Sequence, residues 1–283
     1  MTTKLIKTLA MMLLINSTSL AQQSAAKSSG YAPVNGQKIY YEIYGEGKPI
    51  ILLHGAFMTI NMNWGELIPE LSKTRKVIAL EMQGHGHTAW TSRPISYDAL
   101  ADDVDKTMSF LKIDSADVVG YSFGGTIAYN VVIKYPQRVN KLVIISSTYK
   151  FQGWQKEARE ALSTLKPEYL TNTPLQTEYN KVAPAPADWN KFISGMLSYN
   201  SVDYNLGENN IKNIKSPVLL IIGDNDGIDK SVLIETYKLL GGATFADMAG
   251  MPKSQLAIIP GQGHVSVMMQ TSALLPLLTT FLQ

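Results

Sequence analysis

The feature that most constrains the fold is a set of short, uninterrupted apolar runs spaced along the 283-residue chain: Pro49–Leu53, Val77–Leu80, Ala116–Val119, Leu142–Ile145, Val218–Ile222 and Leu256–Ile259. A strand with one wet face alternates apolar and polar residues, whereas a strand covered on both faces need not. Runs of four or five residues rich in Val, Ile and Leu are too short for core helices, so they read as strands of a parallel sheet. Gln37–Tyr44 alternates instead and reads as a further strand. Helical patterns fill the intervals at Trp64–Leu71, Tyr97–Leu111, Thr126–Lys134, Lys230–Leu240 and Ala273–Leu282. Tyr97-Asp98 puts an acidic residue in a first turn, where the helix dipole favours it. Strand and helix in alternation give an α/β class: a mostly parallel central sheet flanked by helices.

One block breaks that rhythm. Residues 150–210 carry Trp154, Tyr169, Tyr179, Trp189, Phe192, Tyr199 and Tyr204 with four prolines, and no strand-like run. The block reads as a helical insertion between core segments 36–149 and 211–283. Because α/β sheets bind ligands beyond the carboxyl ends of their strands, an insertion there is expected to act as a lid on a substrate pocket. A helical subdomain packed only for stability is the alternative.

Composition removes several classes. Net charge is +2 with no clustered Lys or Arg stripe, so no nucleic-acid partner is expected. Lys4 and Lys7 precede the apolar Leu9–Ile15 and a small-residue stretch ending at Ala21, the pattern of a secretory signal peptide over residues 1–21. Residues 22–35 read as a flexible leader, and the mature chain is expected to be secreted or periplasmic. No run is long enough for stable membrane insertion. Cysteine is absent, which removes disulfides and thiol catalysis.

The sharpest chemical signal is Gly120-Tyr121-Ser122-Phe123-Gly124-Gly125, between the run ending at Val119 and the helix pattern from Thr126. A serine on a tight strand-to-helix turn needs small neighbours two residues away on each side. It also needs a base, and the base needs orienting. Of four histidines, His264 in Gly261-Gln262-Gly263-His264 directly follows a strand. Asp226, in Gly223-Asp224-Asn225-Asp226-Gly227, is preferred as the acid over Asp224, which is better placed to cap its own turn. The stretch after Leu142–Ile145 holds Ser146-Ser147-Thr148 and offers no carboxylate. The backbone amides of Ala56, in Leu53-His54-Gly55-Ala56, and of Phe123 are the candidate oxyanion donors. Phe57, Tyr121, Trp154 and Met268 are candidate substrate contacts, and His54 reads as structural. His85 and His87 lack a third nearby ligand, so no metal and no cofactor are expected.

Leu52-Leu53-His54-Gly55, Glu81-Met82-Gln83-Gly84-His85-Gly86-His87-Thr88, Gly120–Gly125, Gly223–Asp226 and Gly263-His264 together resemble the α/β-hydrolase fold superfamily over nearly all of residues 36–283. Glu81 departs from the pattern, since many relatives carry Asp there. The resemblance implies serine chemistry, because members that use an aspartate nucleophile would have it at position 122. It leaves esterases, lactonases, aminopeptidases, carbon–carbon bond hydrolases and perhydrolases open, with a non-catalytic ligand receptor as a different class. It extends to secreted esterases that open macrolide antibiotics at the ring lactone, which makes a bulky ester or lactone the expected small-molecule substrate. Oligomeric state is not legible.

Overall fold

A computed structural model describes residues 26–200 and 202–283. Its strands are β1 (Ser28–Val34), β2 (Gln37–Tyr44), β3 (Pro49–Leu53), β4 (Lys76–Glu81), β5 (Ala116–Tyr121), β6 (Val139–Ile145), β7 (Val218–Gly223) and β8 (Gln255–Ile259). They form one sheet in the order β1-β2-β4-β3-β5-β6-β7-β8. The β1–β2 and β2–β4 pairs are antiparallel and the remainder parallel. Every apolar run of the sequence is one of β3 to β8. Strands β5 and β7 are buried along their whole length, which is why they carry no alternation. The edge strand β8 is covered only in part.

After β3 come α1 (Ile60–Trp64) and α2 (Ile68–Leu71), after β4 α3 (Tyr97–Phe110), and after β5 α4 (Phe123–Lys134). Between β6 and β7 lie α5 (Lys156–Thr164), α6 (Pro167–Leu170), α7 (Pro174–Val182), α8 (Trp189–Asn200) and α9 (Glu208–Lys212). Helices α10 (Lys230–Leu239) and α11 (Ala246–Ala249) follow β7, and α12 (Thr271–Phe281) follows β8. One face of the sheet packs on Leu100, Val104, Ile127 and Val131 of α3 and α4, continuing into Tyr179, Phe192 and Met196 of the insertion. The other packs on Ile60, Trp64, Leu71, Leu274 and Leu278 of α1, α2 and α12.

Two expectations need correction. Residues 28–34, read as part of a flexible leader, are strand β1, paired with β2 from Ser28↔Ile43 to Val34↔Gln37. Only Ala32 and Val34 face the core, too few to register as a pattern, and Pro33 is tolerated because β1 is an edge strand. The single helix expected over Trp64–Leu71 is two, α1 ending at Trp64 and α2 starting at Ile68. Pro69 has no N–H to give and fits only a first turn, so the break precedes it. The stretch read as a signal peptide lies outside the described residues.

The chain order places a topological switch between β3 and β5: β3 is followed by β4 on one side and then by β5 on the other. Crevices in open α/β sheets form at such a point, beyond the carboxyl strand ends. Here Leu53 pairs with Gly120, so the loops leaving β3 and β5 start side by side.

Candidate active site

Ser122 follows the last residue of β5 with φ 52° and ψ −117°, a conformation L-residues adopt at a cost of about 1–3 kcal/mol. It is held there by its amide donating to Ile145 O (2.9 Å) and its carbonyl accepting from Gly125 N (2.9 Å) and Thr126 N (3.2 Å). The flanking glycines are required by close approach. A Cβ on Gly120 would meet the Gly124 carbonyl, and one on Gly124 would meet that of Leu53. Helix α4 starts at Phe123, three residues earlier than expected, so Ser122 sits directly at its amino end.

The loop after β8 brings His264 to Ser122. With Nδ1 protonated, His264 donates to Asp226 Oδ1 (3.0 Å) and its Nε2 accepts from Ser122 Oγ (2.9 Å). Asp226 is buried, and Ile228 N–H also donates to its Oδ1 (3.1 Å). Burial pushes the Asp226 carboxyl up, but the His264 ring, the Ser146 hydroxyl and the Ile228 amide together hold it below the ordinary carboxylate range. Asp224 has a separate task. It is exposed and accepts from Gln262 N (3.1 Å) and Asn225 Nδ2 (2.7 Å), tying the β7 loop to the loop that carries His264. Backbone amides, that of Gly261 foremost, hold its carboxyl low.

The β3 loop is fixed by Gly55 N–H donating to Asn63 Oδ1 (2.8 Å). Among the described residues, the amides of Ala56 and Phe123 donate to no acceptor in the chain. His54 is structural. Its Nδ1 donates to Gly55 O (2.8 Å) and its Nε2 accepts from Met82 N (3.0 Å), while burial lowers its pKa. His85 donates from Nδ1 to Gln83 O (3.0 Å) and packs against Phe123 and Phe192. Glu81 ties the start of α1 to the loop after β4: Oε1 accepts from Ile60 N (3.1 Å), and Oε2 from His87 N (2.6 Å) and His87 Nδ1 (2.9 Å). That bond raises the His87 pKa against partial burial. Among the described residues, no group of three or more His, Cys, Asp or Glu is placed to hold a metal.

The expected substrate contacts divide. Phe57, at φ 68°, sets its ring 6.2 Å from Phe192 of α8. Trp154 lies edge-on to His264 at 5.0 Å. Tyr121 is not a pocket wall: it is buried, stacks on His264 at 5.4 Å and donates its hydroxyl to His264 O (2.9 Å). Met268, half-buried, packs on the α12 side of the core, the cluster that also holds Tyr121. Sequence reasoning missed Asn63, Phe192 as a neighbour of Phe57, and Trp90, whose indole lies against both Gly84 and Gly195. Only the paired glycines hinted at that last contact.

The segment entering the insertion is stitched to the acid loop. Trp154 and Ile228 form a β-bridge, Gln155 N donates to Gly227 O (2.7 Å), and Asp229 N donates to Gly153 O (2.8 Å). The Gln155 side-chain amide adds a bond to Asp226 O (3.2 Å).

The model of the alpha/beta hydrolase fold matches residues 48–203, more than half of the chain. This chain belongs to that family. It is 38% identical over 109 residues to a 2-hydroxymuconate semialdehyde hydrolase of Pseudomonas sp. (strain CF600), a match covering 36% of this chain and 38% of that protein. A 36% identical stretch of 134 residues, 45% of this chain, matches the dihydrolipoyllysine-residue acetyltransferase component of the acetoin cleaving system of Pseudomonas putida over 36% of its length. The chain thus spans under two-fifths of these curated relatives. Among solved structures, a meta-cleavage product hydrolase from Pseudomonas fluorescens IP01 superposes with TM-score 0.72 at 23% identity, over 90% of this chain and 97% of that one. An enol-lactonase from Burkholderia xenovorans LB400 superposes with TM-score 0.65 at 21% identity, over 89% and 99%. At these identities the structural likeness speaks to the fold.

Proposed function

We propose that this chain is a serine hydrolase that cleaves a carboxylic ester or lactone through an acyl-enzyme. The observation that carries the reading is the unbroken hydrogen-bond chain from Ser122 Oγ through His264 to Asp226, at 2.9 and 3.0 Å. Ser122 Oγ attacks the carbonyl carbon while His264 Nε2 takes the hydroxyl proton, and Asp226 stabilises the imidazolium. The carbonyl oxygen becomes an oxyanion between the amides of Ala56 and Phe123, each worth roughly 3–4 kcal/mol in such sites. His264 returns its proton to the leaving alkoxide as the carbon–oxygen bond breaks. Water, deprotonated by His264, then attacks the acyl-enzyme and releases the acid and free Ser122.

The insertion is proposed as the lid of this site. The part-exposed rings of Trp154, beside His264, and of Phe57, backed by the buried Phe192 of α8, favour a bulky and largely apolar substrate. A macrolide ring lactone is the finer reading, supported by the motif resemblance, and Lys4, Lys7 and the apolar Leu9–Ile15 support export.

The test is direct. The purified protein should be labelled by a fluorophosphonate and should hydrolyse p-nitrophenyl esters, while Ser122→Ala should do neither. Absence of labelling would sink the serine reading. Mass spectrometry of a macrolide after incubation should show the gain of one water; an unchanged mass would remove that substrate. Turnover of a vinylogous diketone in preference to every ester and lactone would move the chemistry to carbon–carbon cleavage on the same triad.

A further inference from the structure

Ser146, at the carboxyl end of β6, is the feature that the proposed mechanism leaves unused. The last residues of β6 and β7 run side by side, with Ile145 paired to Ile221, and the Ser146 amide donates to Ile221 O (2.8 Å). Ser146 has φ 50°, almost that of Ser122, so a second serine is held in the left-handed region at the neighbouring strand end. Such strain persists only where the surroundings enforce it. Its side chain is buried, and Ser146 Oγ has no hydrogen-bond partner. Asp226 shows the complementary lack: Oδ1 takes two donors, but the buried Oδ2 takes none. A buried ionised carboxylate oxygen without a donor costs about 1–3 kcal/mol or more. The pairing of Ile145 with Ile221 sets the two loops side by side, and the hydroxyl is among the groups that lower the Asp226 carboxyl.

We infer that Ser146 is a positioning residue whose hydroxyl donates to Asp226 Oδ2, fixing the carboxylate so that Oδ1 stays in line with His264 Nδ1. The inference rests on the serine-hydrolase reading above. A hydroxyl that aims the acid acts on the basicity of His264 and hence on the nucleophilicity of Ser122. It has no direct part in substrate binding.

The rate of Ser122 labelling by a fluorophosphonate tests this without a known substrate. Ser146→Gly removes the hydroxyl while accepting φ 50° at no steric cost. It should slow labelling about ten- to hundredfold, the worth of one hydrogen bond to a charged group. Ser146→Ala serves if the glycine variant does not fold, and Ser146→Asn, which tolerates the left-handed region and keeps an N–H donor, should recover much of the rate. Combined with Asp226→Asn, loss of the hydroxyl should cost less than about threefold, because the coupling partner is gone. Labelling at the wild-type rate in Ser146→Gly and Ser146→Ala would overturn the inference, as would an equal penalty in the Asp226→Asn background. A wild-type protein that is not labelled at all would instead overturn the serine-hydrolase reading.

Discussion

The carboxyl end of the sheet and the insertion above it are held by different means. Ser122 and Asp226 stand one and three residues past the fully buried strands β5 and β7, His264 five residues past the partly covered edge strand β8, and each loop is tied to its neighbour by backbone bonds. The insertion divides within itself. Helix α8 buries Phe192, Ile193 and Met196 completely, whereas α5 and α6 bury no residue at all. Groups that must meet within 3 Å are therefore built on the most protected part of the chain, and the segment proposed to admit substrate on one of the least. Regions with few buried apolar contacts open at low free energy, which suits a lid and would ruin a triad.

Perturbing the rigid side should have the largest effect. Ser122→Ala is expected to lower turnover about 10⁶-fold, as loss of a triad nucleophile does, with thermal melting close to wild type. Next is the acid: Asp226→Asn should cost on the order of 10⁴-fold in kcat, because the histidine loses its tautomer and the support of its charge. Asp224→Asn should cost under about tenfold, since an amide oxygen can still accept from Gln262 N. The reverse order would exchange their roles.

Within the insertion, stability should separate its two halves. Phe192→Ala, at a fully buried ring, is expected to cost about 3–5 kcal/mol in urea unfolding, and Glu160→Ala on α5 less than about 0.5 kcal/mol. Similar costs at both sites would break the contrast. Trp154 lies at the seam. Trp154→Ala should lower kcat/KM roughly tenfold by freeing the His264 ring, whereas Trp154→Phe should retain most of it. A change in KM alone would make Trp154 a substrate contact instead.

The smallest effect is in pH. The folded Asp226 carboxyl is held below its unfolded value, so its contribution to stability is fully present above the ordinary carboxylate range. It is lost as pH falls through the depressed folded value. Unfolding free energy measured below pH 5 should therefore fall less steeply in Asp226→Asn than in wild type.

What the sequence made legible follows burial on both faces. Strands β3 to β7 announce themselves because the apolar runs in them are covered on both faces, whereas β8 shows only through the composition of Leu256–Ile259; the residues after three of the six strands are Ser122, the Asp226 turn and the His264 loop. Contacts that depend on the third dimension were not legible. Tyr121 neighbours Ser122 in sequence, but successive residues of a strand face opposite ways, so it shares a face with Val119 and supports His264 from beneath. Strand β1 escaped because an edge strand with two inward residues looks like a linker. Asn63 reveals itself only through the Gly55 amide it receives.

The indole of Trp90, seated against Gly84 on one side and Gly195 on the other, works as a pin through α8. A Cβ at either glycine would occupy the space of the ring, so the register of α8 against the β4 loop is set by one side chain and two absences. Recombination between homologues could thus exchange α5 and α6 as a cassette while α8 keeps its seat, since α7 is joined to α8 by Tyr179 stacked on Phe192. A graft that carries any larger residue at position 195 would unseat the helix and, through Phe192, disturb the wall beside Phe57. Diversification of this scaffold should accordingly be sought upstream of the pin, with Trp90, Gly84 and Gly195 inherited as a unit.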